Sequence, residues 1–212
     1  MSARYYPIFL DLKGRSAVVI GGGEVAWRKV EGLLEAGATV TIISPQLHPE
    51  LETLKQQGSI QHDQRKYQPG DLTGFLLAFV ATNDSELNRI VAEEGKRSGV
   101  LVNAVDDPIN CDFVMPAIVR RGNLTLAVST GGGSPAAARR VREDLETFLT
   151  EDYALMLDLA TEVRRELRER DVLIDAETWN RALDEDLRAL LASGHRHEAK
   201  DRLLAALTGG AR

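Results

Sequence analysis

Short apolar runs alternate with helically spaced apolar positions through roughly the first hundred residues. Ala17-Val18-Val19-Ile20 is apolar at every position and stops at Gly21-Gly22-Gly23, the pattern of a strand covered on both faces. Val25, Ala26, Val30, Leu33 and Leu34 then follow helical spacing up to Gly37, which supplies a stop. Thr39 to Ile43 predicts a second strand, closed by Ser44-Pro45. A weaker helix is expected over about His48 to Gln57 and a short strand near Ser59 to His62. Leu76 to Ala81 is another buried run, followed by a helix over Ser85 to Ser98 with Asp84 as its cap, and Val100 to Ala104 makes the fifth strand.

After Asp106-Asp107-Pro108 the texture changes. Phe113 to Val119 is apolar, Leu124 to Val128 reads as a strand, and Ser134-Pro135 opens a helix reaching about Leu149. Everything from Glu151 onward is helical in character. Leu155, Leu159, Val163 and Leu167 form one stripe, Leu183, Leu187, Leu190 and Leu191 a second, and Leu203, Leu204 and Leu207 a third, with Gly194 between the last two.

Strand–helix–strand repetition with short connections predicts right-handed crossovers. The expected fold class is α/β: a Rossmann-type doubly wound parallel sheet, then a small strand–loop–helix unit and an all-helical C-terminal tail. Ligands of such sheets lie beyond the carboxyl ends of the strands. Gly21-Gly22-Gly23-Glu24-Val25-Ala26 fits the dinucleotide fingerprint there. Gly21 permits the tight turn, Gly23 lets a diphosphate approach the backbone, and the N–H groups of Glu24 and Val25 open the helix toward it. The competing reading is a glycine turn that only closes a strand–helix joint. The second strand ends at Ser44-Pro45-Gln46, without the usual ribose-binding carboxylate; Ser44 or Gln46 can serve a ribose, and no arginine favours a 2′-phosphate, so NAD is preferred over NADP. Thr82 and Asn83 end the fourth strand as further cofactor candidates. Asp106 and Asp107 follow the fifth. Asp107, before Pro108, suits a turn, which leaves Asp106 as the candidate proton acceptor.

The second glycine loop, Ser129-Thr130-Gly131-Gly132-Gly133-Ser134-Pro135, also enters a helix, yet lacks the lysine of an ATP-binding loop. Arg120, Arg121, Arg139, Arg140 and Arg142 nearby are either partners for substrate carboxylates or a solvated helix face.

Composition narrows the classes. A net charge of −6 argues against a protein built to coat nucleic acid or an anionic membrane, and no apolar run is long enough for a membrane helix. One cysteine, Cys111, excludes a disulfide framework, and the four histidines show no zinc spacing, so no metal ligands are assigned. The opening Met-Ser-Ala-Arg-Tyr-Tyr-Pro lacks a signal-peptide core, so a cytoplasmic protein is expected.

Several segments together resemble the dehydrogenase module of the sirohaem synthase family. They are Pro7 to Leu12, Gly21 to Lys29, Ala81 to Asp84, Val102 to Asp106, Phe113 to Ala117 and Ala127 to Pro135, in the family's order. The resemblance implies NAD-dependent oxidation of precorrin-2 to sirohydrochlorin and, in some members, insertion of Fe2+ (or Co2+) at the same site. It places the family's essential aspartate on Asp106, as general base and participant in metal insertion. Ser129, Thr130, Gly131, Gly132, Ser134 and Arg139, read as an anion cradle with its arginine, are then the candidates for tetrapyrrole binding, and a phosphorylated serine of some members aligns with Thr130. It also implies a homodimer formed through the middle unit. The expected domains are 1–112 for NAD, 113–150 for dimerisation and substrate, and 151–212 helical. Nothing after Arg212 supplies a methyltransferase module, so a separate enzyme is expected to make the substrate. Two other functions stay open: a non-enzymatic NAD-sensing module, and a chelatase with a vestigial cofactor site.

Overall fold

The computed structural model describes residues 5–209; residues 1–4, which include most of the segment used to judge export, lie outside them. The chain separates into two compact units, Met1–Met115 and Pro116–Arg212.

The first unit is a five-stranded sheet of β1 (Ser16–Ile20), β2 (Thr39–Ile43), β3 (Gln61–Asp63), β4 (Leu77–Val80) and β5 (Leu101–Ala104). Its order is β3-β2-β1-β4-β5 and every pair is parallel. The helices are α1 (Glu24–Glu35), α2 (Pro49–Gln56) and α3 (Ser85–Ser98). Consecutive residues of β1 enter different cores. Val19 packs with Val40, Ile42 and Phe79 beneath Val30 and Leu33 of α1 and Leu51 of α2. Val18 packs with Val80, Val102 and Val91 of α3. Side chains alternate across a strand, so an unbroken apolar run is what burial on both faces demands. Because the chain winds one way from β1 and the other way from β4, the order reverses between these two strands, and the crevice opens beyond their carboxyl ends.

The third strand falls at Gln61–Asp63 rather than Ser59 to His62. It is an edge strand with a single half-buried residue, His62, so hydrophobic pattern specifies its limits weakly. The crossover before β4 is tied down by a buried carboxylate. Glu94 of α3 accepts from the Tyr67 hydroxyl at 2.5 Å, the Gly70 amide at 3.0 Å and the Leu72 amide at 3.1 Å.

The second unit begins with an antiparallel hairpin, β6 (Ala117–Arg121) and β7 (Leu124–Val128), turning through Gly122-Asn123 with Gly122 at φ 53°. The sequence pattern shows only an apolar stretch where β6 forms, because none but Val119 is fully buried and the strand ends on two arginines. Next comes α4 (Pro135–Phe148), capped by the Ser134 hydroxyl, which accepts from the Ala137 amide at 3.2 Å. The tail is α5 (Glu151–Glu169), α6 (Ala176–Ala182), α7 (Glu185–Ala192) and α8 (Arg196–Thr208). Leu159, Val163, Leu187, Leu191, Leu203 and Leu207 are its buried centre. The tail and the hairpin share one compact unit, α5 resting against both β6 and β7.

Candidate functional site

The loop after β1 is built by steric exclusion. Gly21 has φ 112°, a conformation side chains rarely adopt, and a Cβ there would stand 2.4 Å from the Ala81 carbonyl oxygen. At Gly22 a Cβ would stand 2.0 Å from the Gln46 carbonyl oxygen. The Gly22 carbonyl also accepts from the His48 amide at 2.7 Å, strapping the loop after β2 against it. Gly23 differs: it is exposed and an added Cβ would meet nothing within 4 Å. Gly23 is the N-cap of α1 but offers no side-chain cap, and the first main-chain bond of the helix is donated by Trp27. The amides of Glu24, Val25 and Ala26 thus open the helix with no protein acceptor from a cap. A bare glycine before an uncapped helix, at the point where strand order reverses, fits a dinucleotide diphosphate.

The other candidates divide. Ser44 is buried, its hydroxyl donating to the Gln46 carbonyl at 2.6 Å, so it is already engaged in shaping the loop, whereas Gln46 is exposed. Thr82 is half-buried and donates to Asn88 Oδ1 at 3.3 Å; Asn83 is exposed. Asp84 caps α3 through the Glu86 and Leu87 amides.

The two aspartates after β5 do different work. Asp107 accepts from Asn110 at 2.8 Å and from Asn88 at 3.5 Å. Asp106 is exposed at φ 59°, and its carboxylate has no hydrogen-bond or ion-pair partner among the described residues. Sequence reasoning missed its neighbour. Lys29, on the inner side of α1, holds its ammonium 5.5 Å from the centroid of the Phe79 ring. Burial pushes the Lys29 pKa down, and the attraction of Asp106, within its electrostatic reach, opposes that fall without cancelling it. The available signal was position: Lys29 stands six residues beyond Gly23 on the fingerprint helix, between the buried Ala26 and Val30.

In the second unit the glycine loop is tied to itself. Thr130 Oγ1 donates to the Ser134 carbonyl at 3.0 Å, and the Gly131 amide donates to Ser129 Oγ at 3.2 Å. Gly131 and Gly132 have φ 63° and 82°. Arg139 is exposed and ion-paired with Glu143 at 3.2 Å. Arg121 is structural: its guanidinium donates to the Leu149 and Glu146 carbonyls, both at 3.0 Å, closing the C-terminus of α4. Ser129, Thr130, Gly131, Gly132, Ser134 and Arg139 therefore gather at the entry of α4, while Gly21, Gly23, Gln46, Thr82, Asn83 and Asp106 lie at the strand ends of the first unit.

Fold and loop together define an α/β protein of the NAD(P)-binding class. Residues 8–117 match the family described as "Putative NAD(P)-binding", and residues 121–147 match "Sirohaem biosynthesis protein central". Siroheme synthase of Nitrosococcus oceani is 38% identical over 209 residues, covering 98% of this chain and 45% of its own length. Siroheme synthase of Methylobacillus flagellatus is 42% identical over 164 residues, covering 77% of this chain and 35% of its own length. Among solved structures, SirC, a precorrin-2 dehydrogenase, matches with a TM-score of 0.78 and 29% identity over 94% of this chain and 99% of its own. The chain belongs to the sirohaem synthase N-terminal module family. It spans less than half the length of those curated relatives.

Proposed function

We propose that the chain is an NAD-dependent dehydrogenase that oxidises precorrin-2 to sirohydrochlorin. The observation that carries this reading is the uncapped α1 N-terminus at bare Gly23, in the same crevice region as the unpartnered Asp106. When bound, NAD supplies a nicotinamide that accepts hydride. The amides after Gly23 hold its diphosphate, Gln46 serves a ribose, and Thr82 and Asn83 flank it. Asp106 accepts the proton that the macrocycle loses alongside the hydride. Lys29 supplies a positive charge within electrostatic reach of that carboxylate. Substrate carboxylates are met by Arg139 and the 129–134 loop, the work we assign to residues 113–150.

Ferrochelation is a second activity of the same carboxylate. Asp106, free of partners, can take the pyrrole protons released as Fe2+ or Co2+ enters as a substrate ion, the ring nitrogens being its final ligands. A homodimer is supported by the hairpin unit. Among the described residues no third strand joins β6–β7, and Val141 and Phe148 of α4 are 46% and 66% exposed, leaving a surface that a second copy can cover. No described helix is long and apolar enough to cross a membrane, and a cytoplasmic setting suits a soluble cofactor and substrate.

An anaerobic absorbance assay tests the reading. Precorrin-2 with NAD gives the sirohydrochlorin spectrum, and later addition of Fe2+ converts it to sirohaem. NAD binding without spectral change supports the sensing module instead. Iron insertion into supplied sirohydrochlorin, with no oxidation of precorrin-2, leaves a chelatase alone.

A further inference from the structure

Helix α5 sorts its charges. Glu162 accepts from Arg196 at 2.5 Å and Lys200 at 2.7 Å, and Glu166 also pairs with Lys200, so these acids face α8. Arg164, Arg165 and Arg168 have no ion pair among the described residues. In the same unit Arg139, Arg140, Arg142, Arg188 and Arg202 each have one. Arg164 and Arg168, four residues apart and so neighbours on one helix face, line a cavity of about 490 Å3. Its walls include Leu157, Val172, Leu173 and Trp179, and Leu173 is 91% exposed. Arg165 extends the basic strip beside it, with Glu169 as the acidic member.

Arg164 and Arg168 thus set two guanidinium groups without ion pairs, among the described residues, beside an apolar, partly open cavity. They match a ligand with the inverse pattern, an apolar ring edged with carboxylates. We propose that this groove is a second binding site for a tetrapyrrole polycarboxylate. One edge of the macrocycle lies against Trp179 and Leu173, and its acidic side chains pair with Arg164 and Arg168. The identity of the ligand rests on the dehydrogenase reading; the inverse match of charge and apolar surface does not. A macrocycle is favoured over a small carboxylate because the basic strip and the apolar wall extend side by side, and a ring with several acidic arms spans both.

The chain has two tryptophans, Trp27 and Trp179, so Trp27→Phe leaves Trp179 as the local reporter. In that background uroporphyrin, a stable eight-carboxylate macrocycle, quenches Trp179 saturably. Arg164→Glu with Arg168→Glu weakens this binding about tenfold or more, and added salt weakens it in the unmodified groove. Asp106→Asn leaves it unchanged. Absence of saturable quenching, indifference to the arginine reversal, or loss with Asp106→Asn overturns the proposal. Quenching by phosphatidylglycerol vesicles, or by an acidic peptide, with none by uroporphyrin also overturns it and assigns the groove to that partner. The precorrin-2 assay separates the two readings. Turnover without quenching removes only this groove; groove quenching without turnover removes only the dehydrogenase.

Discussion

Gly22 and Gln46 approach so closely that a Cβ on Gly22 would stand 2.0 Å from the Gln46 carbonyl oxygen. The obstacle is main chain, held by the His48 amide bond to Gly22, and has no rotamer through which to yield. Gly22→Ala is expected to cost about 2–3 kcal/mol. A thermal melt should show a loss of roughly 5–10 °C, with NAD binding lost in calorimetry.

Gly23→Ala is the contrasting case. An added Cβ meets nothing within 4 Å, and φ is −84°, which alanine accepts. Stability should fall by only about 0.5–1 kcal/mol, because alanine is a poorer N-cap than glycine. The methyl occupies the space we assign to the diphosphate, so NAD affinity should fall about tenfold or more in calorimetry. Unchanged affinity would move the diphosphate away from this loop.

Asp106 carries a left-handed backbone as well as the proposed proton transfer, so the choice of substitution matters. Asparagine tolerates φ near 59°, and Asp106→Asn should keep its melting temperature and NAD affinity while losing precorrin-2 oxidation. Asp106→Ala adds a backbone penalty of about 1 kcal/mol. A fully active Asp106→Asn enzyme would remove this carboxylate from the reaction.

Lys29→Met should act in two measurable ways. Removing the cation takes away the positive charge within reach of Asp106, so precorrin-2 turnover should fall, and Lys29→Arg should restore it. Stability responds with the opposite emphasis. Burial lowers the folded-state pKa of Lys29, so the unfolded chain binds more protons between that value and the ordinary lysine value. The penalty for burying the charge is present at neutral pH and is relieved as pH rises through this window. Urea denaturation should therefore show Lys29→Met gaining on the parent at neutral pH, and gaining less near pH 10.

Glu94→Ala removes the acceptor of Tyr67, Gly70 and Leu72 together. With buried donors left unpaired, a loss of about 3 kcal/mol is expected in urea denaturation. Burial, followed by the bond to Glu94, raises the Tyr67 hydroxyl well above the usual tyrosine range. Its phenolate band should be missing from an alkaline titration of the folded parent. Because the folded pKa is raised, stability falls as pH climbs past the ordinary tyrosine value.

The sequence by itself determined the parallel sheet, since Ala17 to Ile20 and Leu77 to Val80 are apolar at every residue and only two covered faces accept that. It also marked the glycine loop between β1 and α1, where glycine and helix start are adjacent, and it set Asp106 apart from Asp107 through Pro108. Tertiary structure alone decided which groups are already engaged. The Ser44 hydroxyl bonds within its own loop, Arg121 closes α4, and Arg139 forms an exposed pair along its helix. It alone brought Gly22 against Gln46 and Lys29 over Phe79, contacts across gaps of 24 and 50 positions. Helical and strand periods report which face a residue occupies; they carry no information on which distant backbone or ring waits there.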